Sequence, residues 1–386
     1  MKTKTVQLAE RLIALPSYVS ATVNEVQVID FLAEYAKRNL PRFEVKKSLV
    51  RDGRENLYLL GKKPARLVFV GHVDTVQPSD GWLTDPLQPI QKDGKLYGLG
   101  AADMKGSIAA LLVALQNVDR LLLDEVAVLL YIDEEYQFAG MGQLLEDNVI
   151  AKDDEPDLVV SLDGGLEVLS GCRGLIKVDM EVVGKSGHAS NPMNGINAVT
   201  GAMEVMGVLE EKLPNYASDL GASTMNVAYL RGGAAADIDR PDMLQCAGNV
   251  IPNYAECIVE IRTATTELNA ASVEDMVYSA CAARGLVVKS FVTKIDLGVW
   301  SGSYDARAAS LVKRCYDLAR VEYRQANPAF IGFIDVQMLA STIDSPTYVI
   351  GAGGENRHGA NENVPLANLE QARAIYEVIT TELLGE

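Results

Sequence analysis

Four apolar runs in this chain each lead into residues able to bind a metal ion. Gly71-His72-Val73-Asp74 follows the run 66–70, and Asp133-Glu134-Glu135 follows 126–132. Asp163, with Gly164 and Gly165 behind it, follows 158–162, and beyond 348–350 come Gly351-Ala352-Gly353-Gly354 and then His358. A fifth group, Ala101-Ala102-Asp103-Met104-Lys105-Gly106, sets Asp103 at the opening of a helical segment. Singly, each has an ordinary reading: Asp163 and Asp103 as turn or cap residues, Asp133 to Glu135 as a solvated turn, His72 as a core histidine. Together, two imidazoles and several carboxylates make the donor set of a divalent cation of the zinc class. His72 and Asp74 stand two apart on a strand, so both side chains leave the same face and can share one site.

The elements that must bring these groups together are legible too. Continuous Val/Ile/Leu runs separated by helical segments, 107–118 among them, predict a mixed, mostly parallel sheet with helices on both faces. In such an open α/β sheet the carboxyl ends of the strands form one crevice, where ligands bind. Helical spacing over 8–15 stops at Pro16, and Thr22-Val23-Asn24-Glu25 reads as a capping box opening a helix that runs to about residue 40. From about Arg173 the texture changes to a strand at 175–183, a helix at 197–212, strands at 225–229 and 254–263, a helix at 271–283 and a strand at 286–293. That β-α-β-β-α-β order is a ferredoxin-like α+β sandwich. The expected organisation is a catalytic domain in two parts, 1–173 and 294–386, with 174–293 inserted between them.

With 386 residues, 48% of them apolar, the chain can bury ample cores and is not a disordered protein. Its 35 Lys and Arg stand against 52 Asp and Glu, a formal charge of −17 without any basic cluster, which excludes a nucleic-acid partner. There is no run of about 20 apolar residues, so no membrane span is expected, and the opening residues have helical spacing rather than the apolar core of a signal peptide. Cys172, Cys246, Cys257, Cys281 and Cys315 are odd in number and scattered, as in a reduced, cytoplasmic protein. Histidine is scarce: His72, His188 and His358 are all there are.

In order along the chain, Gly71-His72-Val73-Asp74-Thr75-Val76, Trp82-Leu83-Thr84-Asp85-Pro86 and Leu96-Tyr97-Gly98-Leu99-Gly100 running on to Gly106 resemble the signature of the M20 metallopeptidases. So do Asp133-Glu134-Glu135, Gly187-His188-Ala189-Ser190, Asn249-Val250-Ile251-Pro252 with Arg262, and His358-Gly359-Ala360-Asn361-Glu362. This is the group of acetylornithine deacetylase, succinyl-diaminopimelate desuccinylase and carboxypeptidase G2. The resemblance implies a two-metal hydrolase of a linear amide bond, acting through a water held between ions about 3–4 Å apart. The ions would be zinc, with cobalt or manganese as alternatives. It assigns Asp103 as the ligand shared by both ions, His72 and Asp163 to one, Glu135 and His358 to the other. Glu134 would be the general base, Asp74 the partner that orients His72, and His188 the donor to the oxyanion. Arg262, with Asn249 and the turn at Gly353, would grip a substrate carboxylate, and the inserted domain would serve as lid and dimerisation domain of a homodimer. A cis peptide is implied between Asp103 and Met104.

Two features pull the substrate apart. Asp163 stands where deacylases of the family carry Glu, as in its aminopeptidase and dipeptidase members, whereas the run from Gly184 to Ala198 resembles acetylornithine deacetylase. The substrate is accordingly a small N-acyl amino acid on one reading and a short peptide on the other. A silent binding protein on the same scaffold is the third.

Overall fold

The computed structural model describes residues 2–150, 155–240, 243–245, 248–301 and 305–385. Cys246 lies outside them; Cys172, Cys257, Cys281 and Cys315 are buried. The chain forms two compact units: Met1–Ser170 with Gly302–Ala326 and Ile334–Glu386, and Gly171–Ser301 with Asn327–Phe333.

The first unit opens with helices α1 (Lys4–Ile13) and α2 (Val26–Asn39), then strands β1 (Glu44–Arg51), β2 (Arg54–Leu60) and β3 (Leu67–His72). Helix α3 (Gly106–Asn117), strand β4 (Val126–Tyr131), helix α4 (Ala139–Glu146) and strand β5 (Leu158–Ser161) come next. The second unit supplies β6 (Gly174–Val183), α5 (Ala198–Lys212), β7 (Thr224–Ala235), β8 (Tyr254–Thr263), α6 (Ala270–Ala282) and β9 (Val287–Leu297). Helix α7 (Ala306–Ala319), strand β10 (Thr347–Val349) and helix α8 (Leu366–Leu384) return to the first unit.

The first unit's sheet runs β1-β2-β4-β3-β5-β10. The pairs β4/β3, β3/β5 and β5/β10 are parallel; β1/β2 and β2/β4 are antiparallel. The three central strands are buried along their whole length, which is why they read as unbroken apolar runs. The hairpin β1/β2 escapes that signal, since β1 is a charged edge strand. It turns on Asp52-Gly53, both with positive φ, the pair that a two-residue hairpin turn favours. Helix α3, buried from Gly106 to Leu115, packs against α1 and α8.

In the second unit the strands alternate buried and half-buried positions and pair antiparallel in the order β7-β8-β6-β9. Helices α5 and α6 cover the buried face. This is the ferredoxin-like arrangement expected from the β-α-β-β-α-β order.

Two local expectations fail. Helix α1 starts at Lys4, four residues before the expected run, with Thr3 as its cap. The capping box at Thr22 does not form: α2 begins at Val26, and the Thr22 and Val23 amides donate to Ser20 Oγ. Glu25, which should have closed the box, is fully buried and bonded to Arg54 of β2. A buried guanidinium competes for the carboxylate more strongly than a solvated amide does. Among the described residues no helix is long and apolar enough to cross a membrane.

Candidate metal centre

His72 is the last residue of β3, Asp133 to Glu135 come after β4, and Asp163 lies two residues past β5. These strands are parallel neighbours, so one sheet edge presents all three. Asp103 comes from the turn before α3, where its peptide to Met104 is cis and its backbone leaves helical geometry. His358, at φ 60°, stands in the loop after β10.

Asp103 is where the set meets. Its Oδ1 lies 3.1 Å from His72 Nε2 and its Oδ2 lies 3.3 Å from His358 Nε2. His358 Nε2 is also 3.0 Å from Glu135 Oε1. Two donor groups therefore share this residue, His72/Asp103/Asp163 and Asp103/Glu135/His358, with ligand atoms within 4.8 Å of one another in each. His72, Glu134 and Glu135 form a third such group. Hydrogen bonding His72 Nδ1 to the Asp74 carbonyl at 3.1 Å leaves Nε2 aimed at Asp103, the tautomer a metal-ligating histidine needs.

Burial pushes the Glu135 and Asp163 carboxyls up, and the Asp103 charge adds to it. Burial also raises Glu134 well above the usual range. Burial would raise Asp103 as well, but hydrogen bonds from His358 and His72 outweigh it and hold that carboxyl far below. Hydrogen bonds to Asp103 and Glu135 raise His358 to about 10. Crowded, desolvated carboxylates with two imidazoles create a demand for positive charge that divalent ions of the zinc class fit.

The turn bearing Glu134 is fixed from both sides. The Asp74 carboxylate accepts the Glu134 amide at 3.2 Å and the Glu135 amide at 3.0 Å; it is 3.6 Å from His72 Nδ1. So Asp74 orients His72 through its carbonyl and the turn at Glu134 and Glu135 through its carboxylate. Across the turn, Asp133 at φ 69° is fully buried and binds Arg51 and Arg54.

Four further residues of this region, three of them buried, had no sequence assignment. The Glu362 carboxylate accepts the amides of Gly100, Ala102 and Asp103 at 2.7, 2.8 and 3.0 Å. Lys105, buried behind them, donates to the Leu15 carbonyl, and burial lowers its ammonium to about 7. Arg357 reaches Asp163 at 3.4 Å and the Gly164 carbonyl at 2.6 Å. Asp335 is fully buried, with Oδ1 taking the Tyr131 hydroxyl at 2.7 Å. Glu362, four residues past His358, and Lys105, two past Asp103, stand inside motifs the sequence singles out.

Burial lifts the Asp335 carboxyl to about 7 from the ordinary 3.8. The folded protein thus keeps a proton that the unfolded chain releases above about pH 4, so this group's contribution to stability is present below that pH and lost as pH rises through about 7. Asp335→Asn should therefore gain on wild type by about 1–4 kcal/mol between pH 4 and 8, both proteins metal-free, in urea unfolding. A gap that stays constant with pH would contradict it.

His188, Asn249 and Arg262 belong to the second unit, Gly353 to the first. His188 is exposed, with Nδ1 2.8 Å from Ser190 Oγ, and the Ala189 amide donates to the Asn249 carbonyl at 2.9 Å. These two sit beyond the Tyr254 end of β8, whereas Arg262, 2.7 Å from Glu260, lies at the other end. Eight residues of strand separate Tyr254 from Arg262, roughly 26 Å. Gly353, at φ 62°, allows the chain to pass so near Gly165 that a Cβ would stand 2.9 Å from its Cα.

Known proteins resemble this chain in sequence or in fold. An acetylornithine deacetylase of Photorhabdus laumondii is 32% identical over 250 residues, 60% of this chain and 63% of the relative, so the match spans just under two thirds of that relative's length. A succinyl-diaminopimelate desuccinylase of Erythrobacter litoralis is 26% identical over 392 residues, covering 98% of each. An M20 family metallo-carboxypeptidase of Sulfolobus solfataricus has the same fold, at TM-score 0.78 over 100% of both chains and 16% identity. The sequence model of peptidase family M20/M25/M40 matches residues 68–382, a stretch that contains every donor residue of the centre, and the chain belongs to that family.

Proposed function

We propose that this chain is a two-metal amidohydrolase that cleaves an N-acyl amino acid into a carboxylate and a free amine. The observation that supports it most is Asp103, whose two oxygens face the two halves of one donor set. His72, Asp103 and Asp163 would hold one ion, and Asp103, Glu135 and His358 the other, zinc being the first choice. Divalent ions there would lower the pKa of a bound water toward ~7 and polarise the scissile carbonyl.

The protein's own groups do the rest. Glu134, fixed through its amide on Asp74 and made basic by burial, takes the proton of the attacking water and returns it to the leaving nitrogen. His188 donates to the oxyanion, and Arg262 with Asn249 and the Gly353 turn grips the substrate carboxylate. Because Asn249 lies beyond the Tyr254 end of β8 and Arg262 stands eight positions along that strand, roughly 26 Å from Tyr254, a small carboxylate gripped by both would take them from two copies, which supports a homodimer through the second unit. The names of the two relatives favour an acyl group on a small amino acid. Asp163 favours a second reading, a dipeptidase or aminopeptidase with the same ligands.

Metal-loaded protein should hydrolyse N-acetylornithine, N-acetyl-lysine or succinyl-diaminopimelate faster than simple dipeptides, and chelation should abolish the turnover. Faster dipeptide cleavage would favour the second reading. Activity that survives chelation would sink both.

A further inference from the structure

The loop 355–363 has three grips on the candidate centre within six residues. Arg357 touches Asp163 and the Gly164 carbonyl. His358 faces Asp103 and Glu135. Glu362 accepts three amides of the turn that carries Asp103. The loop is closed at its base, where Glu355 and Asn363 exchange both backbone hydrogen bonds at 2.9 and 3.1 Å. Its shape is set internally by Asn356, His358 and Asn361, all in the left-handed region, and the Asn361 side chain accepts the Leu83 amide at 2.9 Å.

Glu362 fills a nest of backbone N–H groups, the concavity that elsewhere binds a free anion. Here the anion is the protein's own, and it is fully enclosed: Glu362 is 1% exposed. His72, Glu135 and Asp163 come from strand ends and are fixed by the sheet. His358 comes only from the loop, whose end is paired with 95–97 and whose Glu362 carbonyl takes the Gly98 amide. Its place relative to Asp103 therefore depends on the carboxylate bonds that tie the loop to the turn itself.

We infer that loop 355–363 is the clasp that completes the second ion position, with Glu362 as its anchor, so that the Asp103/Glu135/His358 position depends on Glu362 far more than the His72/Asp103/Asp163 position does. This rests on the two-ion reading above. Glu362 is a positioning residue: it acts through the Asp103 turn and the His358 loop. The arrangement makes loading sequential when the anchor is weakened, one ion binding on the sheet edge and the other waiting for the loop.

The test is a titration of metal-free protein with cobalt(II), read by calorimetry and by the visible spectrum of the bound ion. Wild type should take up two ions. Glu362→Gln, which cannot accept all three amides, should keep one ion at wild-type affinity and bind the other about 10–100-fold more weakly, with the spectrum developing in two separate stages. Two ions bound by the variant as in wild type, or both weakened equally, would overturn the inference. A wild type that binds no cobalt would instead refute the two-ion reading itself. Hydrogen exchange on metal-free wild type gives an independent check needing no variant. The Gly100, Ala102 and Asp103 amides should be protected to the same degree as those of Glu355 and Asn363; fast exchange at 100–103 beside a protected loop would overturn the clasp.

Discussion

Replacing Glu134 with glutamine is expected to lower kcat by about 10²–10⁴-fold, with KM little changed and two ions still bound. The ion count is the discriminating part. Glu134 lies in one of the three groups whose atoms could hold a metal, with His72 and Glu135, so proximity alone does not separate base from ligand. Two features do. The other two groups both include Asp103, and Glu134 belongs to neither of them. And burial, the largest influence on it, makes Glu134 more proton-hungry than an exposed carboxylate, which is what a group that must collect a proton needs. Glutamine keeps the size and one oxygen but cannot take the proton. If the variant instead loses an ion together with its activity, Glu134 is a ligand and the base lies elsewhere.

The donor residues were legible because a parallel sheet imposes a simple rule: the residues just past each apolar run arrive at one edge. His72, the segment 133–135 and Asp163 reach that edge by this rule, while the choice of Glu135 over Glu134 as a donor came only from the family resemblance. Their supporting partners could not be read that way. Glu362 meets Gly100 across 262 positions and Arg54 meets Asp133 across 79, and no local period announces such pairs. The hairpin β1/β2 had a local signal in Asp52-Gly53, but apolar runs are blind to a charged edge strand. Glu25 shows the opposite failure. Its spacing from Thr22 fits a capping box, yet the tertiary bond to Arg54 takes the carboxylate away. Arg262 and Asn249 are close in sequence, yet β8 draws the chain out between them, with Arg262 near its far end and Asn249 in the segment before its start.

Asp103→Ala should have the broadest effect of any single substitution: it removes the one residue common to both proposed ion positions. The variant should bind neither ion at concentrations that saturate wild type, and its turnover should equal that of chelated wild type. Asp163→Ala, by contrast, takes a ligand from one group only and should leave one ion bound. Thermal unfolding separates the two cases without reference to activity. A ligand present at a thousandfold excess over its Kd stabilises the folded state by about 4 kcal/mol, so wild type should gain most on adding metal, Asp163→Ala about half as much, and Asp103→Ala nothing. The metal-free proteins need their own comparison, because Asp103 contributes there as well. Its carboxyl sits far below the ordinary range through its bonds to His358 and His72, so that stabilisation is present above the unfolded value of 3.8 and fades as the pH falls. At neutral pH the metal-free Asp103→Ala protein should thus already be less stable than metal-free wild type, and the difference should shrink toward pH 3. Two ions retained by Asp103→Ala would mean that the two positions do not share this residue, and the two-metal reading would fall with it.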